Sequence, residues 1–423
     1  MDIVNIRPGM LRGTVNIPPS KSFAHRAVLA AFLSRGKCRI ENVQLSEDIA
    51  ATVRCAEKMG AVCRYDAARR ILELDGSACA DTGGHVKLDC GESGSTLRFL
   101  IPVAAALGFD CEFTGHGRLM KRPLDPYFEI FKSRKIRYEL KDGTLKTYGR
   151  LKPGRFEIDG GLSSQFITGL LFALPQLDGD SEIIIKGRLE SRAYVDISIA
   201  VLKDFGIEIE NRNYESFAVR GRQRFKRRNY RIEGDFSQAA FFLVAGAIGC
   251  DITCMGLSEN SLQGDKKIVE IIESTGAVIR RENGGLRAEY RAGLKGVTVD
   301  ASEIPDLVPI LAVLLCFCGG ESRIVNAGRL RFKESDRLRA ISSELGHLGA
   351  DITEGSDYLV IHGRQVLNGT TVSAWNDHRI AMALAVAACR CEGDVGITGA
   401  RRAVTKSYPE FFEDYADLGG LVK

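Results

Sequence analysis

The stretch NIPPSKSFAHRAVLAAFL, residues 16–33, predicts a buried helix that begins beside two cations. Nearly every position in its second half is apolar or small, and Pro18 and Pro19 end any element before it. Lys21 and Arg26 nevertheless lie in the first turns, where the helix dipole is already positive and each cation costs about 0.3–1 kcal/mol. This placement indicates that a strongly negative ligand binds at the helix start.

Five further stretches share this pattern, in which a polar or glycine-rich turn leads into a helix of apolar and small residues. In chain order, the marker residues of all six are Ser22, Ser95, Ser164, Ser237, Asp306 and His378. Their spacings are 73, 69, 73, 69 and 72 residues. Amphipathic segments alternate with them, and most begin near an acidic residue and end in glycine, as exposed helices do. β-rich stretches such as SEIIIKGR, residues 181–188, separate the helices.

The chain is therefore predicted to be an α/β protein of six similar units of about 70 residues. Each unit would contain one buried helix, one outer helix and several strands. The basic run RQRFKRR, residues 222–228, lies near the midpoint and predicts a solvated segment between three units and three units.

Composition narrows the class of protein. The chain has 423 residues, 45% of them hydrophobic, and a net charge of +4, which allows two domains and does not require nucleic acid. No apolar run reaches the roughly 20 residues that span a membrane, and the first residues lack a hydrophobic signal core, so we expect a cytoplasmic protein. The twelve cysteines are scattered without a CxxC pair, which predicts buried or half-buried free thiols.

Cations gather at the starts of the buried helices and in three loops. Free N–H groups at a helix start, with Lys or Arg beside them, favour an anion. The loops are GRLMKRPLDP (117–126), GRLRFKESDRL (328–338) and RRAVTKSYPEFF (401–412). Several such starts facing one cleft would bind a ligand set as anionic as two phosphates and two carboxylates.

Seven motifs together resemble the 5-enolpyruvylshikimate-3-phosphate synthases, the 3-phosphoshikimate 1-carboxyvinyltransferases. They are PPSKSFAHR (18–26), CGESGSTLRF (90–99), KRPLDP (121–126), GGLSSQF (160–166), FKESDRL (332–338), NDHRIAMAL (376–384) and VTKSYPEFF (404–412). They follow the family's order along nearly the whole chain. The resemblance implies transfer of the enolpyruvyl group of phosphoenolpyruvate to the 5-hydroxyl of shikimate 3-phosphate with release of phosphate, a step toward chorismate and the aromatic amino acids. It implies neither a metal nor an organic cofactor.

The resemblance also implies the fold. Enolpyruvyl transferases have two similar domains, each an inside-out α/β barrel of three βαβαββ-type units around buried helices. We expect one domain to comprise residues 13–232 and the second to comprise residues 1–12 and 233–423. The two substrates are the expected partners, nucleic acid and membranes are not, and the protein is expected to be a monomer.

Matched positions imply the site residues. For shikimate 3-phosphate they are Lys21, Ser22, Arg26, Ser163, Ser164, Gln165, Ser191, Tyr194, Asp306 and Lys333. For phosphoenolpyruvate they are Lys21, Gly94, Arg122, Gln165, Arg337, Arg379 and Lys406. The implied catalytic residues are Asp306 as the base for the 5-hydroxyl, Lys21 and Glu334 as candidates for the proton transfers, and His378 near the reacting carbon. Neighbouring cations would keep Asp306 ionised unless burial offsets them.

Four positions depart from the pattern of the family: Glu92, Ser95, Arg329 and His25. Glu92 stands where Asn is usual, which is an awkward place for a carboxylate beside an anion site. Arg329 stands where Asn or His is common, so no contact is assigned to it. In this family the herbicide glyphosate competes with phosphoenolpyruvate, and Gly94 is expected to border that site.

Two alternatives stay open at this point. Enolpyruvyl transferases acting on UDP-N-acetylglucosamine share the architecture, but they usually carry Cys or Asp on the loop that here reads GHGRLMKRP, residues 115–123. A non-catalytic repeat protein would use the basic helix starts to bind nucleic-acid phosphates, with an affinity that falls steeply with salt.

Overall fold

The computed structural model describes residues 2–79 and 83–423, which form two compact units. The terminal unit combines the chain up to Ser20 with Glu233–Lys423, and the inserted unit is Lys21–Ile232. Each unit has its own hydrophobic core.

The division at the N-terminal side differs from the sequence prediction, which placed residues 13–20 with the inserted unit. Strand Arg12–Asn16 pairs in parallel with Asp251–Met255 of the terminal unit, and the N–H of Ile17 donates to the carbonyl of Met255. Backbone hydrogen bonds therefore hold these residues in the terminal unit.

Helices of the inserted unit alternate between buried and amphipathic ones. They are α1 (Lys21–Leu33), α2 (Glu47–Lys58), α3 (Gly94–Leu107), α4 (Asp125–Arg134), α5 (Ser164–Ala173) and α6 (Arg192–Asp204), with 3-10 turns at Leu119–Lys121 and Leu174–Gln176. Nearly every residue of α1, α3 and α5 is buried, because apolar and small side chains cover all sides of these helices. The other three bury one face and leave their charged side chains exposed or half-buried, apart from the buried Asp48 of α2.

Three four-stranded sheets of the inserted unit share one pattern. In spatial order their strands are Asn229–Arg231, Lys37–Glu41, Ile71–Asp75 and Val62–Asp66; His85–Asp89, Asp110–Thr114, Thr144–Tyr148 and Arg137–Lys141; and Arg155–Asp159, Ser181–Lys186, Ser216–Val219 and Ile209–Arg212. In each sheet the first two strands are parallel and the other neighbours are antiparallel. The last strand of the unit, Asn229–Arg231, completes its first sheet.

The terminal unit repeats this arrangement. Its helices are α7 (Phe236–Ala247), α8 (Ile268–Ser274), α9 (Val308–Cys316), α10 (Arg337–His347), α11 (His378–Ala387), α12 (Ala400–Val404) and α13 (Phe411–Asp417), with 3-10 turns at Gly264–Lys267, Pro305–Leu307, Gly328–Phe332 and Ala388–Arg390. Every residue of α7, α9 and α11 is buried.

The sheets of the terminal unit have the same parallel pair followed by antiparallel neighbours. In spatial order their strands are Arg12–Asn16, Asp251–Met255, Gly285–Glu289 and Val278–Glu282; Thr298–Asp300, Glu321–Val325, Leu359–His362 and Asp351–Glu354; and Thr371–Ser373, Val395–Thr398, Ile3–Arg7 and Leu421–Val422. A short parallel pair joins Leu367–Asn368 to Cys391–Glu392. The predicted α/β units, three and three, are therefore present.

The structure bears on two predictions made from composition, which concern the cysteines and membrane-spanning helices. All twelve cysteines are free thiols, and all but Cys63 are buried, as predicted. Across residues 2–79 and 83–423, no helix combines the length and the apolar character needed to cross a membrane.

Gly169 shows how closely the buried helices of the inserted unit pack. A Cβ built on this residue of α5 would overlap the hydroxyl of Tyr127 and lie 2.5 Å from the carbonyl oxygen of Arg98 in α3. The Tyr127 hydroxyl itself donates to that carbonyl at 2.5 Å. The approach of α3 to α5 therefore requires glycine at this position.

We expect Gly169→Ala to destabilise the protein by about 1–3 kcal/mol, because backbone and Tyr127 must shift to admit one methyl group. The matched control is Gly346→Ala in α10, where nothing lies within 4 Å of the added Cβ. That variant should gain up to about 1 kcal/mol from helix propensity. Urea unfolding measures both, and equal effects of the two variants would contradict the packing argument.

Candidate active site

Lys21, the first residue of α1, is held by a carboxylate from the next helix. Its Nζ lies 2.8 Å from Oδ2 of Asp48 in the first turn of α2, and the two side chains are 19% and 10% exposed. Asp48 therefore offsets part of the repulsion between Lys21 and the positive end of α1.

Arg26 is a buried cation held by neutral oxygens. Its Nε donates to Ser198 Oγ at 2.8 Å, Nη1 to the Ser22 carbonyl at 2.7 Å and Nη2 to the Tyr194 carbonyl at 2.9 Å. Within the described residues, no ion pair includes Arg26. Burial lowers the pKa of Arg26 to about 9, so it remains charged at neutral pH. A buried charge of this kind is stabilised when an anion binds beside it.

The starts of α3 and α5 lie side by side. A Cβ built on Gly94 would lie 2.8 Å from Nη1 of Arg122 and 3.5 Å from Oε1 of Gln165. Gln165 Oε1 accepts from Arg98 Nη1 at 2.7 Å, and its Nε2 donates to Ser95 Oγ at 2.9 Å. The structure thus brings together Gly94, Arg122 and Gln165, all assigned to phosphoenolpyruvate.

Serines mark the starts of α5 and α6. Ser163 caps α5, its Oγ accepting from the N–H of Gln165 at 3.3 Å, and Ser164 is buried. Ser191 precedes α6 in the left-handed region, with φ +56°, and is 2% exposed. The N–H of Tyr194 donates to its carbonyl at 3.1 Å. A buried residue other than glycine in this conformation is strained, and such strain concentrates at functional sites.

The side chain of Glu92, a carboxylate that the sequence places beside a predicted anion site, lies against Gly117. A Cβ on Gly117 would be 2.7 Å from Oε2 of Glu92, and the φ of Gly117 is +57°. Glycine at position 117 therefore leaves the space that the carboxylate occupies, and its backbone conformation also favours glycine.

In the terminal unit, Asp306 is surrounded by three cations. Its Oδ1 accepts from Arg337 Nη1 at 2.8 Å and lies 3.5 Å from Nζ of Lys333. Its Oδ2 accepts from Arg379 Nη2 at 3.1 Å, and its carbonyl accepts from Nη1 of the same residue at 3.1 Å. Asp306 thus directly contacts three other residues that were assigned from the sequence.

Charge sets the protonation state of this cluster. Burial alone would raise the pKa of Asp306, but Arg379, Lys333 and Arg337 outweigh it and hold that pKa well below its usual range. Burial lowers the pKa of Lys333, and Asp306 opposes that change. Asp306 is therefore ionised at neutral pH.

Asp377 holds the cluster together, although it was not among the assigned site residues. It is fully buried, and its Oδ2 accepts from Arg337 Nε at 2.8 Å and from Ser335 Oγ at 3.0 Å. Its Oδ1 caps α11 by accepting from the N–H of Arg379 at 3.0 Å. Glu334 adds a further contact, with Oε2 2.6 Å from Arg337 Nη2.

Lys406 and His378 lie near the start of α11. Nζ of Lys406 donates to the carbonyl of Asn376 at 2.6 Å, two residues before His378. His378 is 1% exposed, and its Nδ1 lies 4.0 Å from Oδ1 of Asp377.

Asp265 is a buried carboxyl of the same unit that the sequence did not indicate. It accepts from the hydroxyl of Ser237 at the start of α7. Burial and the charge of Asp306 raise its pKa to about 7, with Asp235 acting in the same direction and Arg379 opposing them.

Sequence signals existed for some of these additional residues. Asp377 follows the N-cap rule, because it directly precedes an apolar helix. Asp48 is one of two acidic residues in the first turn of α2, a common feature that does not single out an ion pair with Lys21. For Asp265, in the polar run QGDKK, no local pattern distinguishes it from a solvated aspartate.

Residues 6–415 match the family model of EPSP synthase (3-phosphoshikimate 1-carboxyvinyltransferase). The chain belongs to the EPSP synthase family. The 3-phosphoshikimate 1-carboxyvinyltransferases of Clostridium novyi (strain NT) and Clostridium kluyveri are 47% and 48% identical to it, over 100% of this chain and 98% of each relative. This chain is therefore an enzyme, and the alternative of a non-catalytic nucleic-acid-binding protein is wrong.

Two solved enolpyruvyl transferase structures have the same fold as this chain. EPSP synthase from Acinetobacter baumannii is 24% identical with a TM-score of 0.80, over 100% of both chains. The enolpyruvyl transferase NikO from Streptomyces tendae is 19% identical with a TM-score of 0.82, over 100% of this chain and 98% of that one. The predicted enolpyruvyl transferase fold is confirmed.

The raised pKa of Asp265 predicts that its ionisation destabilises the protein. The folded state holds the proton up to about pH 7, whereas an unfolded Asp releases it near pH 4, so this group's contribution to stability is lost as pH rises across that window. Asp265→Asn should therefore gain stability over wild type between pH 5 and pH 8, on the order of 1–3 kcal/mol.

Urea unfolding at the two pH values measures this gain. Asp394→Asn, at a side chain that is 62% exposed in the same unit, is the control and should show no such change. An Asp265→Asn effect that is equal at both pH values would show that Asp265 does not titrate in this window.

Proposed function

We propose that this chain transfers the enolpyruvyl group of phosphoenolpyruvate to the 5-hydroxyl of shikimate 3-phosphate and releases phosphate. The observation that carries the proposal is the Asp306 cluster, in which one ionised carboxylate meets Arg337, Arg379 and Lys333 in a chain of the EPSP synthase family. A base for the hydroxyl and cations for a small, dense anion are what this reaction requires.

Two features of the inserted unit support the proposed binding of shikimate 3-phosphate. The buried charge of Arg26 supports an anionic group beside α1, and the strained Ser191 supports a function at the start of α6. The residues proposed to bind this substrate are Lys21, Ser22, Arg26, Ser163, Ser164, Gln165, Ser191, Tyr194, Asp306 and Lys333.

Phosphoenolpyruvate carries a carboxylate and a phosphate a few bonds apart, so it needs several cations in fixed positions. In the inserted unit, the closeness of Gly94 to Arg122 and Gln165 supports their assignment to this substrate. In the terminal unit, the shared contact of Arg337 and Arg379 with Asp306 supports theirs. The residues proposed to bind this substrate are Lys21, Gly94, Arg122, Gln165, Arg337, Arg379 and Lys406.

The reaction would proceed by addition and elimination. The 5-hydroxyl oxygen bonds to the carbon of phosphoenolpyruvate that bears the phosphate, while Asp306 takes the hydroxyl proton and the methylene carbon takes a proton from Lys21 or Glu334. In the resulting tetrahedral intermediate the C–O bond to phosphate breaks and the leaving phosphate takes the proton that Asp306 accepted. Lys21 or Glu334 takes back a methyl proton, and the carbon–carbon double bond re-forms. His378 is proposed to lie near the reacting carbon.

Substrate binding would make Asp306 a stronger base. Arg379, Lys333 and Arg337 hold the pKa of Asp306 low, and a carboxylate with a low pKa accepts a proton weakly. The anions of phosphoenolpyruvate would compete for the two arginines and add negative charge, and both changes raise the pKa of a neighbouring carboxyl.

The cytoplasmic location and the monomeric state stay predictions. The free thiols fit the reducing cytoplasm, where disulfides are rare, and support the predicted location. A monomer remains the expected state.

Phosphate release from phosphoenolpyruvate tests the function, with shikimate 3-phosphate or UDP-N-acetylglucosamine as the acceptor. We expect release with the former only, and release with the latter only would establish the alternative transferase.

Lys21→Ala should lose nearly all turnover, at least about 100-fold, because a proton donor or anion contact is removed. Its far-UV circular dichroism should match wild type, and normal turnover in the folded variant would remove Lys21 from the site.

Gly94→Ala should discriminate between glyphosate and phosphoenolpyruvate. Its methyl group would press on Nη1 of Arg122 and approach Gln165, and glyphosate, the longer ligand by the family resemblance, should be hindered more. We expect the inhibition constant for glyphosate to rise about tenfold more than the KM for phosphoenolpyruvate. Steady-state inhibition with phosphoenolpyruvate varied measures both, and unchanged inhibition would show that Gly94 does not border this site.

A further inference from the structure

The turn that leads into α11 contains two consecutive residues in the left-handed region. Trp375 has φ +52° and Asn376 has φ +50°, directly before the cap residue Asp377. Asn adopts this conformation comparatively readily, but for a bulky residue such as Trp it is a genuine outlier. Surrounding contacts must therefore impose it.

Glu344 of α10 supplies those contacts. Its Oε1 accepts from Nε1 of Trp375 at 2.7 Å, and its Oε2 accepts from the N–H of Ser373 at 2.9 Å. The carboxylate is 4% exposed and thus bonds to donors on both sides of Ala374. Charge-assisted hydrogen bonds of this kind are strong and fix the geometry of their partners.

The same face of α10 also contacts Asp377, the residue that follows the two left-handed residues. Arg337 and Glu344 are seven residues apart, two helical turns, and Arg337 Nε donates to Asp377 at 2.8 Å. On the other side, Nζ of Lys406 donates to the carbonyl of Asn376 at 2.6 Å. The position of this turn therefore determines where Lys406 and the start of α11 lie.

We propose that Glu344 and Trp375 are positioning residues that hold the strained turn before α11, so that Arg379 and Lys406 are set for the anions of phosphoenolpyruvate. The inference rests on the proposed function, because it assigns those two cations to that substrate. Neither Glu344 nor Trp375 needs to touch substrate in this role.

The contacts of Glu344 with Trp375 and Ser373 are here called the clamp, and the test compares two variants that weaken it. Trp375→Phe keeps a bulky ring but removes the indole N–H, and Glu344→Gln keeps the side-chain shape but leaves one acceptor oxygen for two donors. We expect each to raise the KM for phosphoenolpyruvate about tenfold, the effect of losing one buried charge-assisted hydrogen bond. The KM for shikimate 3-phosphate and kcat should stay within about twofold to threefold, as expected when ground-state binding of one substrate is lost.

Tyr415→Phe is the matched control. The Tyr415 hydroxyl lies 3.2 Å from the carbonyl of Ala385, near the opposite end of α11, and the residue is buried in the same unit. This variant removes one aromatic hydrogen-bond donor without touching the turn. It should lower the melting temperature because a buried hydrogen bond is lost, but leave the KM for phosphoenolpyruvate unchanged.

Hydrogen exchange gives a readout that does not depend on activity. Amides of residues 375–379 should exchange faster in Trp375→Phe than in wild type or Tyr415→Phe. A KM for phosphoenolpyruvate within twofold of wild type in both clamp variants, or unchanged exchange at these amides, would overturn the proposal. Absence of phosphate release from wild type itself would instead refute the proposed function, and the exchange result would still decide whether the clamp holds the turn.

Discussion

The buried guanidinium of Arg337 is the interaction on which the terminal unit's candidate site depends. The side chain is 2% exposed and bonds to Asp377, Asp306 and Glu334, which come from three segments of the chain. Removing a partner from a buried ion pair typically costs about 3–5 kcal/mol, so the three segments are held in register by charge as well as by packing. Asp377 then caps α11 and Asp306 reaches Arg379, which extends the constraint to the next helix start.

In the inserted unit, the buried cations have a different set of partners. Lys21 has a carboxylate partner, but Arg26 is held by hydroxyl and carbonyl oxygens and keeps its full positive charge. The terminal unit is thus close to electrically balanced around Asp306, whereas the start of α1 retains an excess positive charge. An enzyme that binds two polyanionic substrates needs such an excess, because a fully compensated site would have to give up internal ion pairs for every ligand contact.

The scaffold that presents these charges is a repeat of one α/β unit. Its buried helices consist of apolar and small residues on all sides, so the core of each unit packs around them and holds their first turns in place. Close approach at Gly169 brings α3 and α5 together, and with them Gly94 and Gln165. In the terminal unit the pairing of Arg12–Asn16 and Ile3–Arg7 with later strands completes two sheets. Sites on such supported helix starts lose little entropy when a ligand orders them.

Local pattern in the sequence was sufficient for the six units, the alternation of buried and outer helices, and the family. These follow from side-chain chemistry at short range, such as helix periodicity, capping and motifs of adjacent residues. Only the tertiary structure decided that residues 13–20 belong with the terminal unit, because strand pairing joins positions more than 200 residues apart. It alone also identified Asp48 as the partner of Lys21, Asp377 as the centre of the cluster, and Glu344 as the support of Trp375. Their roles depend on distance and burial between segments remote in sequence, which no local pattern of residue types encodes.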